Sequence, residues 1–161
     1  MDAYPELFVE YALVGCSARH LIRSKSGRIA IDTIGPDGGY RPILWFAVRH
    51  EFEPDAGEFE YRCVCATEAG HVEYSGGAGH PCPYFAVGHL GIRAISLFLT
   101  GQLSTEHSLT YSGLIASVHD PQFTEQTPVV SAGEYCGVRQ AHKDAFLARF
   151  EITLGSWRFS R

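Results

Sequence analysis

The sequence predicts an α+β fold, an antiparallel β-meander sheet with a helix packed on one face, in a single domain over residues 1–161. Three observations carry this expectation. Short stretches of alternating apolar and polar residues recur between residues 18 and 75, separated by clusters of Gly, Pro, Asp and Ser that read as turns. After residue 88 an apolar stretch places Leu90, Ala94, Leu97 and Phe98 at helical spacing, with Gly101 near its end. A chain of 161 residues is long enough to bury about two-thirds of the surface its unfolded form exposes, enough for one core.

Taken in order, "PELFVEYALV" at 5–14 fits a strand or a short helix equally well. "SKSG" at 24–27 lies between the alternating stretches "HLIR" and "RIAIDTI", which predicts a hairpin, and "GPDGGYRP" at 35–42 predicts a second turn. "ILWFAVRHEF" then places Leu44, Phe46, Val48 and Phe52 on one side of a pleat and reads as a strand. "EPDAGE" at 53–58 is a third turn leading into the strand "FEYRCVCAT". Beyond the Gly-rich loop "SGGAGHPCP" comes the predicted helix from about His89 to Thr100. "SLTYSGLIASVHD" alternates again as a strand, "SAGEYCGV" reads as a loop, and "RQAHKDAFLARF" as a helix. "FEITLGSWRFS" holds two apolar stretches around Gly155-Ser156, which suits a type II′ hairpin.

Composition narrows the function classes. The net charge is −5 and no two of the thirteen Lys and Arg residues are adjacent, the opposite of a surface built to bind phosphates. Nucleic acid is therefore not the expected partner. No apolar run approaches the roughly 20 residues of a membrane-spanning helix, so no membrane partner is expected either. Five cysteines, an odd number in a chain of this size, favour reduced thiols in a cytoplasm over a disulfide framework. "LVGC" at 13–16 fits the short box before a lipidated cysteine, but Asp2, Glu6 and Glu10 interrupt the apolar stretch and no Lys or Arg precedes Arg19. The expectation is that it is no export signal.

The densest chemistry lies in "CVCATEAGHVEYSGGAGHPC", residues 63–82, which carries three cysteines and two histidines. A structural zinc site wants two close pairs of thiolate or imidazole ligands, usually two residues apart internally. Cys63 and Cys65 are spaced more tightly and share a face with Phe59 and Tyr61, whereas Glu58, Glu60 and Arg62 share the other. A free cysteine packs as a small hydrophobe, so this strand explains both cysteines without a metal, and no cofactor is expected. For nucleophilic catalysis the best local candidate is Cys82 with His80 or His89, beside the start of the predicted helix. No nucleophile elbow, zinc-protease motif, dinucleotide fingerprint or P-loop accompanies it.

Charge offers a further candidate. Glu51, Glu53, Asp55, Glu58 and Glu60 follow one another without an intervening Lys or Arg. Such a cluster serves either to discourage edge-to-edge strand pairing or to steer a basic partner protein into contact. The order of "FEYRCVC", loop and "GHLGIRAISLFLTGQL", with Gly88 and Ala94 at the helix start, resembles small uncharacterised bacterial domains over residues 28–103. These include cytoplasmic immunity proteins of polymorphic-toxin and secretion loci. The resemblance implies a non-catalytic, protein-binding module that neutralises a secreted toxin. Two other functions fit the residues: a small enzyme or zinc protein centred on Cys82, His80 and His89, and a small-molecule carrier with an apolar pocket lined by Trp45, Phe46, Phe85 and Phe98.

Overall fold

The computed structural model describes residues 4–51, 54–83, 89–138 and 144–156. Twelve strands form three antiparallel sheets, and among the described residues the only helical pieces are a 3₁₀ turn at Pro54–Ala56 and α1, Gly101–Glu106. The first sheet has the order β2 (Arg19–Ser24), β1 (Leu7–Leu13), β4 (Ile43–His50). The second has the order β10 (Val130–Ser131), β8 (His107–Ser117), β12 (Ala145–Ser156), β3 (Arg28–Asp32), with β9 (Thr124–Gln126) also paired to β8. The third runs β11 (Tyr135–Gly137), β7 (Gly91–Leu99), β5 (Phe59–Thr67), β6 (Gly70–Gly77).

The α+β expectation is thereby corrected to a mostly β fold. The predicted helix at 89–100 is β7, paired with β5 on one side and β11 on the other. A strand buried on both faces needs an unbroken apolar run, and over nine residues such a run carries helical spacing as readily as strand spacing. Of the second predicted helix, 139–150, residues 139–143 lie outside the described residues and Ala145–Phe150 are strand, part of β12. Gly155 and Ser156 do not turn there but continue β12, opposite Ser108 and His107. The meander is also corrected. β2 and β3 flank the predicted "SKSG" hairpin yet join different sheets, because β2 pairs with β1 and β3 with β12. The loop "SAGEYCGV" contains the whole of β11.

Alternation held where a sheet face meets the core. Phe59, Tyr61, Cys63 and Cys65 are all at most 1% exposed, while Glu60, Arg62 and Val64 between them are half-buried. The inward faces of the three sheets form one continuous apolar cluster, and each fully buried large side chain contributes about 1.5–3 kcal/mol. Buried tyrosines tie the sheets together. Tyr11 of β1 donates to the Asp32 carbonyl at the end of β3 at 2.9 Å. Tyr111 of β8 donates to the Glu134 carbonyl and accepts from the Leu97 amide of β7 at 3.1 Å. Beyond β6 the chain returns to β4, where Phe46 and Cys82 exchange backbone hydrogen bonds of 3.1 and 2.8 Å.

Candidate functional site

The ends of several strands leave a cleft of about 670 Å³ between the loop at 37–42, the start of β7, the end of β8 and the start of β12. A second lobe of about 540 Å³ opens beside the β5–β6 turn; the two share Ala66, Leu90, Arg93 and Asp144. The larger lobe has mainly apolar walls, including Val14, Pro42, Leu90, Val118 and Phe146. Leu90 is 53% and Val118 63% exposed, so both present apolar surface at the rim. Gly91 makes the cleft possible: at φ +125° a methyl group there would lie 2.2 Å from Pro42 Cβ.

Arg93 stands where the lobes meet. Along the β5–β7 ladder Val64 faces Ala94 and Cys65 faces Ile92, so Arg93 is the extra residue of a β-bulge. Bulges of this kind re-aim a side chain. The bulge is held from the other side, since the Arg93 carbonyl accepts the Val138 amide at 2.8 Å. Arg93 is only 2% exposed. Its Nη1 donates to His71 Nε2 at 2.7 Å, which leaves the His71 proton on Nδ1. Its Nε and Nη2 have no hydrogen-bond partner. Burial lowers the Arg93 pKa from its ordinary value, and the negative charge of Asp144 opposes that shift; a guanidinium remains charged all the same. Asp144 itself pairs with His119, Oδ1 to Nε2, at 3.1 Å.

Among the described residues, nothing else on the cleft wall is arranged for bond making. The Ser117 hydroxyl accepts the His119 backbone amide at 3.3 Å and so is occupied by its own turn. The His119–Asp144 pair is exposed on both sides, at 73% and 51%. No cysteine lines either lobe.

The cysteines gather behind the wall. Cys63 Sγ lies 3.5 Å from Cys82 Sγ and 3.9 Å from Cys65 Sγ, and all three residues are fully buried. The predicted pairing of Cys82 with His80 or His89 is not formed: Cys82 faces a thiol, His80 is exposed, and the imidazole of His89 sits beside Cys65. The hydrogen bond with Cys63 lowers the Cys65 thiol to about 6 against the cost of burial, with help from His89. The partner thiols Cys65 and Cys82 push Cys63 far up. Burial alone would depress His89, but Cys65 and the Leu44 backbone together outweigh it and the net direction is up. The Gly91 amide donates to His89 Nδ1 at 3.0 Å, so that nitrogen is unprotonated and cannot take a proton without losing this bond. Among the described residues no three His, Cys, Asp or Glu side chains converge to hold a metal ion.

The described residues of the acidic stretch differ in exposure. Glu51 and Asp55 are exposed, while Glu58 is half-buried with its carboxylate 3.5 Å from His50 Nε2. Glu60 is half-buried on β5 and lies against the backbone of Gly77. Glu53 lies outside the described residues. Among the described residues the predicted aromatic side chains do not line the cleft. Phe46 is in the core, Trp45 carries the Arg19 guanidinium 5.8 Å from its ring, Phe98 is half-buried, and none of the three lines the cleft. Phe85 lies outside the described residues. The sequence offered one signal for Arg93, a single cation inside the apolar run "GIRAISLFL", because a buried Arg is rare unless paired.

Compared with protein-family models, with curated proteins and with solved structures, the chain matches none. No described helix is long and apolar enough to cross a membrane.

Proposed function

We propose that this protein is a non-catalytic binding protein that holds a small molecule with an apolar body in the cleft between β7, β8 and β12. The cleft itself carries the proposal: its volume of about 670 Å³ falls within the range of small-molecule sites, and large exposed aliphatic side chains rim it. The absence of a nucleophile paired with a base among the described lining residues supports binding over catalysis. The alternative of a toxin-neutralising surface at 51–60 has less support, since Glu58 lies beside His50 and Glu60 is half-buried.

The test uses a neutral, polarity-sensitive dye, Nile red, so that charge plays no part. The wild type is expected to bind it with a rise and blue shift in fluorescence. A Leu90→Glu, Val118→Glu double variant should lose that signal while unfolding at the same urea concentration, because both side chains are exposed. Equal dye binding by the two proteins, or none by the wild type, refutes the cleft as the ligand site.

A further inference from the structure

We propose that Cys63 and Cys82 are a redox pair, joined by a disulfide when a low-molecular-weight disulfide such as oxidised glutathione is in excess and separated again when thiols prevail. Their sulfurs are 3.5 Å apart in the folded protein, so closing the bond at about 2 Å draws them together by roughly 1.5 Å. They come from different parts of the chain. Cys63 lies on β5, paired into strands on both sides, and Cys82 is brought beside it by its backbone pairing with Phe46 of β4. Gly76 of β6 leaves the room: a Cβ there would lie 3.2 Å from Cys82 Cβ. Cys65 is the competing partner, its sulfur 3.9 Å from that of Cys63. It stands two residues along the same strand, where Cα atoms are about 6.6 Å apart, near the upper end of what a disulfide spans. The bond to Cys82 is therefore the favoured product.

All three thiols are fully buried, so the reaction starts from a local opening. Cys82 is the thiol that such an opening releases. Among the described residues, its segment beyond Ala78 is held by the Tyr61 hydroxyl on the His80 carbonyl, the His80 amide on the Gly77 carbonyl at 3.0 Å and the two Phe46 backbone bonds. The ladders that fix Cys63 in β5 are far longer. Once released, the Cys82 thiolate attacks glutathione disulfide. The glutathione S–S bond breaks, a mixed disulfide forms at Cys82, and one glutathione thiolate leaves and takes up a proton in place of the one Cys82 lost. On reclosing, the Cys63 thiolate attacks the Cys82 sulfur, and the second glutathione leaves and is protonated in turn. The two cysteine sulfurs have then lost two electrons, which the glutathione disulfide has gained. Burial slows these steps without changing their equilibrium. The bond closes residues 63–82 into a loop, which restricts the unfolded chain, and it pins the segment at 78–83 to β5.

The experiment equilibrates the full chain in glutathione redox buffers, starting from reduced and from oxidised protein. It is run in plain buffer and again in urea just below the unfolding transition, so that opening does not limit the reaction. Samples are acid-quenched, alkylated and mapped by mass spectrometry, with fragmentation of the cross-linked peptides. Wild type and Cys65→Ala are expected to lose two free thiols and to yield one cross-link, Cys63 to Cys82, which Cys63→Ala does not form. The wild-type map decides by itself should a variant not fold. The oxidised protein should unfold at a higher urea midpoint, and its Phe46 and Cys82 amides should exchange with deuterium about tenfold or more slowly than in the reduced protein, because the local opening is blocked. A cross-link from Cys63 to Cys65, any bond to Cys16 or Cys136, or glutathione adducts without a cross-link overturns the pair. So does retention of all five free thiols at every buffer ratio, in urea as well as in plain buffer. A Cys63–Cys82 bond that lowers the urea midpoint or leaves the two amides exchanging as before overturns the pinning of the segment. None of these outcomes depends on what the cleft binds.

Discussion

Gly137 is a residue for which even a methyl group is too much. Its φ is +127°, and a Cβ there would fall 2.2 Å from the Arg93 carbonyl oxygen. Gly137→Ala is therefore expected to cost about 2 kcal/mol or more, through strain and displacement of the Arg93 bulge, measured as a lowered urea midpoint. Cys63 makes a complementary case. Cys63→Ala should cost about 1–2 kcal/mol through a small cavity, whereas Cys63→Asp buries an unpaired charge and should abolish the folded signal in circular dichroism. A folded Cys63→Asp protein would show that this face of β5 opens readily. Residues of this second kind were legible in the sequence, because the alternation of Phe59, Tyr61, Cys63 and Cys65 states which face is buried. Arg93 and Gly137 were not. Their meaning comes from a bulge between β5 and β7 and a close backbone approach between β7 and β11, strands distant from one another in sequence.

Among the elements, β7 best shows what pattern alone cannot decide. Its residues Gly91 to Leu97 are all buried, so neither an alternating nor a helical stripe of polar residues marks an exposed side. β4, β5 and β8 each keep an exposed or half-buried side, and their periodicity was readable. The β-branched Ile92 and Ile95 favoured a strand, but Leu90, Ala94, Leu97 and Phe98 at helical spacing pointed the other way. Pairing on both sides sets the expected dynamics. Amides of β5 and β7 should exchange with deuterium most slowly, whereas the edge strand β2 and the three-residue β9 should exchange early. Peptide-resolved hydrogen exchange checks this, and fast exchange across 92–97 would contradict the central position of β7.

For the molecule as a whole, buried tyrosines and thiols set the response to alkali. Burial raises Tyr11, Tyr61 and Tyr111 above 10.0. Cys63, through its partner thiols, and Cys136, through burial, lie above 9.0. These groups keep their protons in the fold and lose them on unfolding, so the unfolded state binds fewer protons above pH 9 and stability must fall as pH rises. Cys65, lowered to about 6, is already ionised in the fold and opposes this trend until the unfolded thiol has ionised as well. Urea midpoints are expected to hold up to about pH 9 and decline steeply beyond it. Tyr111→Phe should flatten that decline while costing about 1 kcal/mol at neutral pH from its lost hydrogen bonds. The sheet arrangement has a consequence for how the protein is made. Among the described residues β3, at Arg28–Asp32, finds its only ladder partner in Arg149–Thr153 of β12. During synthesis this strand leaves the ribosome early and must wait, with both edges open, until nearly the whole chain has followed. The second sheet cannot close by zipping outward from a local hairpin at β3. Nascent chains stalled before residue 145 therefore present Ile29 and Ile31 to whatever binds exposed strands, and chaperones are the natural occupants of that interval.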